Sequence, residues 1–295
     1  MAFFSTLFSQ IVNGLQSGSI YALVALGYSM VYGIIMLLNF AHGDIIMVGA
    51  YVVWMSMTSF GLHPLPSILL AVVVSTLLGV VIEKVAYAPL RSSPRLSLLI
   101  TAIGISFLLE NGFQLIFGAG AKVVPTLIEG PTFDVLGASV STPALVTLAV
   151  TVVIMIGLTL LVQKTKLGRA MRAVSEDMGA AQLMGVNINT TISFTFALGS
   201  ALAAVASALY LSSYAQASPT MGSMLGLKAF VAAVLGGIGS LPGAMLGGFV
   251  IGLAEALVSA AGLSVWKDGV VFAILIVVLL VRPSGLLGKP MKEKV

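Results

Sequence analysis

Four charged side chains fall inside otherwise apolar stretches of this sequence: Asp44, Glu110, Lys228 and Glu255, with His42 beside the first. An ionisable group at membrane depth costs roughly 2.5–3.5 kcal/mol on insertion scales, so each is a functional candidate by default. Asp44 adjoins an interrupted stretch, Asn39-Phe40-Ala41-His42-Gly43-Asp44, whose freed backbone groups can partner it. Glu110 sits next to Asn111 in one apolar segment, and Glu255 sits deep in another. A second interruption, Gly236-Gly237-Ile238-Gly239-Ser240-Leu241-Pro242-Gly243, lies near the other end of the chain. Two chemistries fit such groups: they can line a polar path for a small solute, or they can clamp helices together. The residues expected along a path are Asn39, His42, Asp44, Glu110, Asn111, Gly237, Gly239 and Glu255. Lys228 lies near a segment end and is expected to snorkel to the interface. A half-helix beginning after Gly43 or Pro242 would offer free N–H groups to a carboxylate. With an apolar wall beside it, such a site suits a zwitterion with an aliphatic side chain.

Side-chain catalysis finds no support. His42 and His63 are far apart, and neither HExxH nor GxSxG occurs. Gly288-Lys289 is followed by Pro290 rather than Ser or Thr, so there is no P-loop for ATP. The chain has no cysteine, which excludes disulfides and thiolate metal sites. It is not expected to be an enzyme or to hold a metal. ATP-driven work would need another subunit.

The elements that must position these residues are membrane spans. Hydrophobic residues make up 59% of the 295, and charged residues 8%, against about 25% in a soluble domain. Mean hydropathy is +1.12. Residues 45–82, 135–163 and 178–227 carry no Lys, Arg, Asp or Glu. A spanning helix needs about 20 apolar residues, so the chain holds eight to ten spans in one all-α transmembrane bundle. Nine are placed at 10–36, 44–59, 66–87, 97–117, 143–163, 190–214, 224–236, 243–261 and 266–282. The second and seventh are short enough to be re-entrant or broken. The first 43 residues lack the basic region of a secretory signal, so the first apolar segment is expected to be a retained span.

Basic clusters set the orientation. Lys84, Arg91 and Arg95 follow the third span, Lys164, Lys166, Arg169 and Arg172 the fifth, and Arg282, Lys289, Lys292 and Lys294 the last. These belong inside, with residues 118–142 outside, the amino terminus outside and the carboxyl terminus inside. The net charge of +4 reads as topology, not as a nucleic-acid surface. GxxxG pairs at Gly14/Gly18, Gly222/Gly226, Gly243/Gly247 and Gly248/Gly252 predict close helix packing. The two interruptions, one in each half, hint at an internal repeat around a transport path.

Residues 168–185, GRAMRAVSEDMGAAQLMG, form a charged, helix-prone island too polar to span. Arg172 and Glu176 are spaced to pair on one helix face. Such an inner loop is either a docking element or a helix attached to its own bundle; spacing leaves both open.

Three stretches resemble a known family. They are NGLQSGSIYALVALGYSMVYGIIMLLNFAHGDIIMVGAY at 13–51, GRAMRAVSEDMGAAQLMGVN at 168–187 and LKAFVAAVLGGIGSLPGAMLGGFVIGLAE at 227–255. Together they resemble the permease subunits of bacterial branched-chain amino acid ABC transporters, of the H-type of the paired permeases. The resemblance covers nearly the whole chain as one transmembrane permease domain, 1–295. It implies a multi-pass protein of the bacterial inner membrane, importing Leu, Ile or Val. It implies a second permease, two cytoplasmic ATPase subunits holding ATP and Mg, and a periplasmic binding protein as partners, with no cofactor on this chain. The family's coupling helix maps onto 168–185, which gives an ATPase-docking role to Gly168, Arg169, Arg172, Glu176, Asp177, Ala180, Ala181 and Gly185. Relatives often have Asn where this chain has Asp177. Similar permeases carry urea, short amides and other small solutes. From the residues alone, an ion-coupled secondary transporter or a passive channel stays open; a scaffold does not explain irregular backbone at membrane depth.

Overall fold

The computed structural model describes residues 2–36, 39–91, 93–135 and 138–288. Lys289, Pro290, Lys292 and Lys294 lie outside the described residues. Each of the nine apolar segments is a helix. Seven helices are long and apolar enough to cross a membrane. The eleven helices of the described residues are α1 (Ala2–Ile35), α2 (His42–Thr58), α3 (Pro64–Ile82), α4 (Arg95–Phe117), α5 (Thr142–Lys164), α6 (Lys166–Glu176), α7 (Met178–Leu183), α8 (Ile188–Tyr214), α9 (Met221–Gly236), α10 (Leu241–Ala260) and α11 (Lys267–Val281). A π-helical turn, Glu83–Tyr87, and a 3-10 turn, Ala88–Leu90, extend α3. The strands are confined to short pairs: β1 (Lys122–Val123) with β4 (Gln216–Ala217), and the hairpin of β2 (Thr132–Val135) and β3 (Ala138–Ser141), all antiparallel.

The fifth and sixth spans flank the charged island, which folds as α6 and α7. The basic residues Lys84, Arg91, Lys164, Lys166, Arg169 and Arg172 gather at one end of the bundle, the end that the positive-inside bias assigns to the inner face. At that end α3's extension meets the start of α8: Arg91 Nη1 donates to Asn189 Oδ1 at 2.6 Å. At the outer end β1 pairs with β4, and Lys122 lies 5.7 Å over the Trp54 ring.

The helices pack through small residues. A Cβ on Gly18 would lie 2.9 Å from the Gly248 carbonyl oxygen, and one on Gly252 2.3 Å from the Gly18 nitrogen. One on Gly247 would lie 2.0 Å from the Ala232 oxygen. The GxxxG pairs therefore serve α1–α10 and α9–α10 contact, and Gly222/Gly226 serves α2–α9 contact, where lipid supplies no hydrophobic drive between helices.

The packing shows an inverted repeat. α1 packs most extensively on α10, and α3 on α8; α2 packs on α3 and α8 as α9 packs on α10 and α1. Thus α1, α2 and α3 correspond to α8, α9 and α10, running in opposite senses. The sequence reading paired the Asn39–Asp44 break with Gly236–Gly243. The packing instead pairs it with residues 215–220, which lead into α9. The aligned residues then include Gly43 with Gly222, Ala50 with Ala229, Tyr51 with Phe230 and Val52 with Val231. The signal was short and its two copies lie 179 residues apart (222 − 43), so the more conspicuous glycine run masked it.

Candidate functional site

The inner surface is built first by caps. Thr165 Oγ1 accepts from the Gly168 N–H at 3.0 Å and starts α6. Asp177 Oδ1 accepts from the Ala180 N–H at 3.0 Å and starts α7. Gly185, with φ +82°, closes α7; the Val186 N–H reaches the Ala181 carbonyl at 3.0 Å. Only a residue tolerant of the left-handed region ends a helix this way. Gly168 is buried against the end of α5, where a Cβ would meet the Val162 oxygen at 2.2 Å. Arg172 donates to that same carbonyl. Met171, Val174 and Ala181 are buried beneath the pair, while Arg169, Glu176, Asp177 and Ala180 are exposed. The expected docking residues therefore divide into three seating groups, Gly168, Arg172 and Ala181, two capping groups, Asp177 and Gly185, and an outward face.

Two residues of that face were missed in the sequence. Leu183 and Met184 are 91% and 84% exposed at the tip of α7. A groove runs between Ile34–Met36 at the end of α1 and Val174–Met178. Large apolar side chains on the watery side of a membrane protein are an interaction signal. In sequence they are two more hydrophobic residues in a hydrophobic chain.

The second feature lies inside the bundle. Gly43 and Gly222, each in the first turn of its helix, touch: a Cβ on either would lie 2.4 Å from the other's carbonyl oxygen. His42 is wedged against Gly27 of α1, where a Cβ would lie 2.4 Å from Nε2. Gly27 is about two turns before the inner end of α1, so α2 begins roughly 12 Å into the bundle. The second and seventh segments are thus short helices starting at depth. Neither has a side-chain cap, whereas α5, α6, α7, α8 and α10 each have one.

Asp44, in the first turn of α2, is 1% exposed. Neither of its oxygens has a hydrogen-bond partner, and His42 Nε2 and Asn39 Nδ2 lack one too. Buried polar groups are nearly always bonded, so this cluster of orphans needs a reason. The polar neighbours of Asp44 are Ser106 and Glu110 of α4. Ser223 of α9 donates to Glu110 Oε2 at 3.3 Å. Asn39 Oδ1 accepts from the Tyr87 hydroxyl at 2.8 Å, tying the break to the end of α3. Beside it the buried Glu83 pairs with Arg91 and accepts from Ser193 Oγ at 2.6 Å.

The structure places Asn39, His42 and Asp44 at the start of α2, with Glu110 beside Asp44, and leaves the other path candidates elsewhere. Asn111 is exposed and donates to the Phe107 carbonyl of its own helix at 2.8 Å. Gly237 and Gly239, with φ +102° and +89°, turn the chain at the inner α9–α10 corner, Gly237 tight against Gly288. Glu255 belongs to a separate buried cluster. Lys228 Nζ lies 2.6 Å from Glu255 and 2.6 Å from Asp268, and Tyr21 donates to Glu255 at 2.7 Å. Lys228 therefore does not snorkel. It is 6% exposed and joins α9, α10 and α11, because two acids meet it within the protein.

Comparison with known proteins agrees with this architecture. Residues 10–279 match the family described as branched-chain amino acid transport system / permease component. The chain is 46% identical over 298 residues to the high-affinity branched-chain amino acid transport system permease protein BraD of Pseudomonas aeruginosa, covering 97% of both chains. It is 45% identical to the protein LivH of Escherichia coli K12, again covering 97% of both. A probable branched-chain amino acid transport permease of Methanocaldococcus jannaschii is 30% identical over 93% of this chain and 90% of that one. No solved structure matches. A multi-pass helical bundle, matched over nearly its whole length, belongs to the branched-chain amino acid transport permease family.

Proposed function

We propose that this protein is the membrane-spanning permease of an ATP-driven importer of leucine, isoleucine and valine. The observation that carries the coupling half of this reading is the exposed apolar tip of α7, Leu183 and Met184, in a chain whose sequence has no P-loop motif. The cargo follows from what its relatives are named for. Residues 1–295 act as one transmembrane domain in the bacterial inner membrane. A second permease completes the translocation unit, and a periplasmic binding protein delivers the cargo. Two cytoplasmic ATPase subunits hold ATP and Mg and dock on 168–185. This chain binds no cofactor and catalyses no reaction.

The mechanism starts where α7 is gripped. Closure of the ATPase pair displaces α7, and α6 moves with it because Asp177 joins them. Gly168 and Arg172 fasten α6 to the end of α5, so α5 tilts. Residues 184–187 carry the motion into α8. Coupling of this kind requires two discrete arrangements of the docked element. The short helices α2 and α9 at the centre of the inverted repeat are the elements around which access alternates.

The inverted repeat with helices starting at depth also occurs in ion-driven secondary transporters. The two readings separate on one variant. With both Leu183→Glu and Met184→Glu, ATPase subunits no longer co-purify and ATP-driven leucine uptake falls to background, while the protein still inserts. Undiminished uptake by that double variant would contradict docking at α7.

A further inference from the structure

We infer that Asp44 and Glu110 form a cation-holding site that takes the primary ammonium group of the passing amino acid; this rests on the permease reading above. The inference starts from an imbalance. Asp44 is buried to 1% exposure with both carboxylate oxygens unpartnered, and Glu110 is its acidic neighbour across the α2–α4 contact. Two acids at membrane depth repel each other and lose hydration together.

Among the described residues, no salt bridge reaches either acid. α1, α2 and α8 contain no Lys or Arg. Arg95, the basic residue of α4, lies at the opposite end of that helix from Glu110. Lys228 of α9 is already held between Glu255 and Asp268. The first turn of α2 tempers the charge on Asp44 through the helix dipole and its own N–H, and Ser106 lies beside it, but none of these neutral groups cancels the charge. An ammonium group, small and carrying three donors, supplies what both oxygens lack.

The site also has a way to open. α4 supplies Ser106 and Glu110 beside Asp44, and only 11% of its apolar window is buried. Ser223 bonds Glu110 from the first turn of α9, so the site touches both short helices and α4. Any shift of α2 against α9 about the Gly43–Gly222 contact changes the separation of these groups. An ammonium held in one arrangement is then released in the other.

The test uses the whole transporter, purified with its subunits and reconstituted in proteoliposomes with internal ATP. Uptake of radiolabelled leucine is compared for the wild type, Asp44→Asn, Asp44→Glu and Glu110→Gln, in sodium, potassium and choline media. Asp44→Asn lowers uptake at least about tenfold with the subunits still co-purifying. Asp44→Glu restores part of it, and Glu110→Gln lowers uptake by a smaller factor. Wild-type uptake by Asp44→Asn would overturn the inference, since the amide imitates an acid that merely holds a proton. So would failure of Asp44→Asn and Glu110→Gln alike to assemble, which makes the pair structural. A strict sodium requirement would assign the site to an inorganic ion and overturn it as well. If the wild-type complex imports no leucine with ATP, the permease reading itself fails.

Discussion

Lys228 is buried between two acids, Glu255 and Asp268. Removing a partner from a buried ion cluster leaves an uncompensated charge, which costs about 3–5 kcal/mol. Lys228→Met strands Glu255 and leaves Asp268 without its 2.6 Å partner, so it should lower the unfolding temperature of the detergent-purified protein clearly. Glu255→Gln keeps the Lys228–Asp268 pair and should cost less; thermal unfolding of the two variants side by side checks the order. At Gly43 and Gly222 the constraint is steric. An added methyl group meets a backbone carbonyl at 2.4 Å, which no rotamer relieves. Gly43→Ala should destabilise by about 1–3 kcal/mol or abolish accumulation, read as protein recovered from membranes. The acids inside the apolar segments were legible in the sequence as candidates, but their partners were not. Asp268 is distant from Lys228 along the chain, and its side chain reaches Lys228 only once α11 packs beside α9. Glu83, placed in a basic cluster, gave no hint that it would be buried under Arg91 and Ser193.

At the scale of elements, α6 and α7 were legible as a charged helical island, and their division at Asp177 was not. The acid that looked like a docking charge also caps α7. Arg172 was read as a docking residue spaced to pair with Glu176. Its observed bond is to the Val162 carbonyl, so it fastens α6 to α5. Arg172→Glu puts a negative charge against a helix C-terminus, which is unfavourable. It should lower ATP-driven uptake through loose seating of α6 while leaving insertion intact. Its signature is faster proteolysis of the 165–185 segment, which Leu183→Glu should not share. The short helices were legible by length: α2 and α9 were the two segments marked as broken. Their relation as repeats was hidden because the match is a few residues, Gly, Ala, aromatic and Val, in register across two distant segments.

The charge bias of the loops assigns the whole molecule an orientation, with residues 168–185 inside and 118–142 outside. Its orientation can be tested directly because the sequence contains no cysteine. A single cysteine at Lys122 should react with a membrane-impermeant maleimide once the outer face is accessible. One at Leu183 should react only after the inner face is opened. Labelling in the reverse order would invert the topology. The central claim is that this bundle moves branched-chain amino acids only under the power of separate ATPases. The most direct test is to purify it gently from its native membrane, identify the proteins that accompany it, and reconstitute the assembly for leucine uptake. The account predicts two P-loop ATPases and a second permease in the preparation, and uptake that requires internal ATP and the binding protein. A homo-oligomer that accumulates leucine on an ion gradient, with no ATPase present, would contradict it.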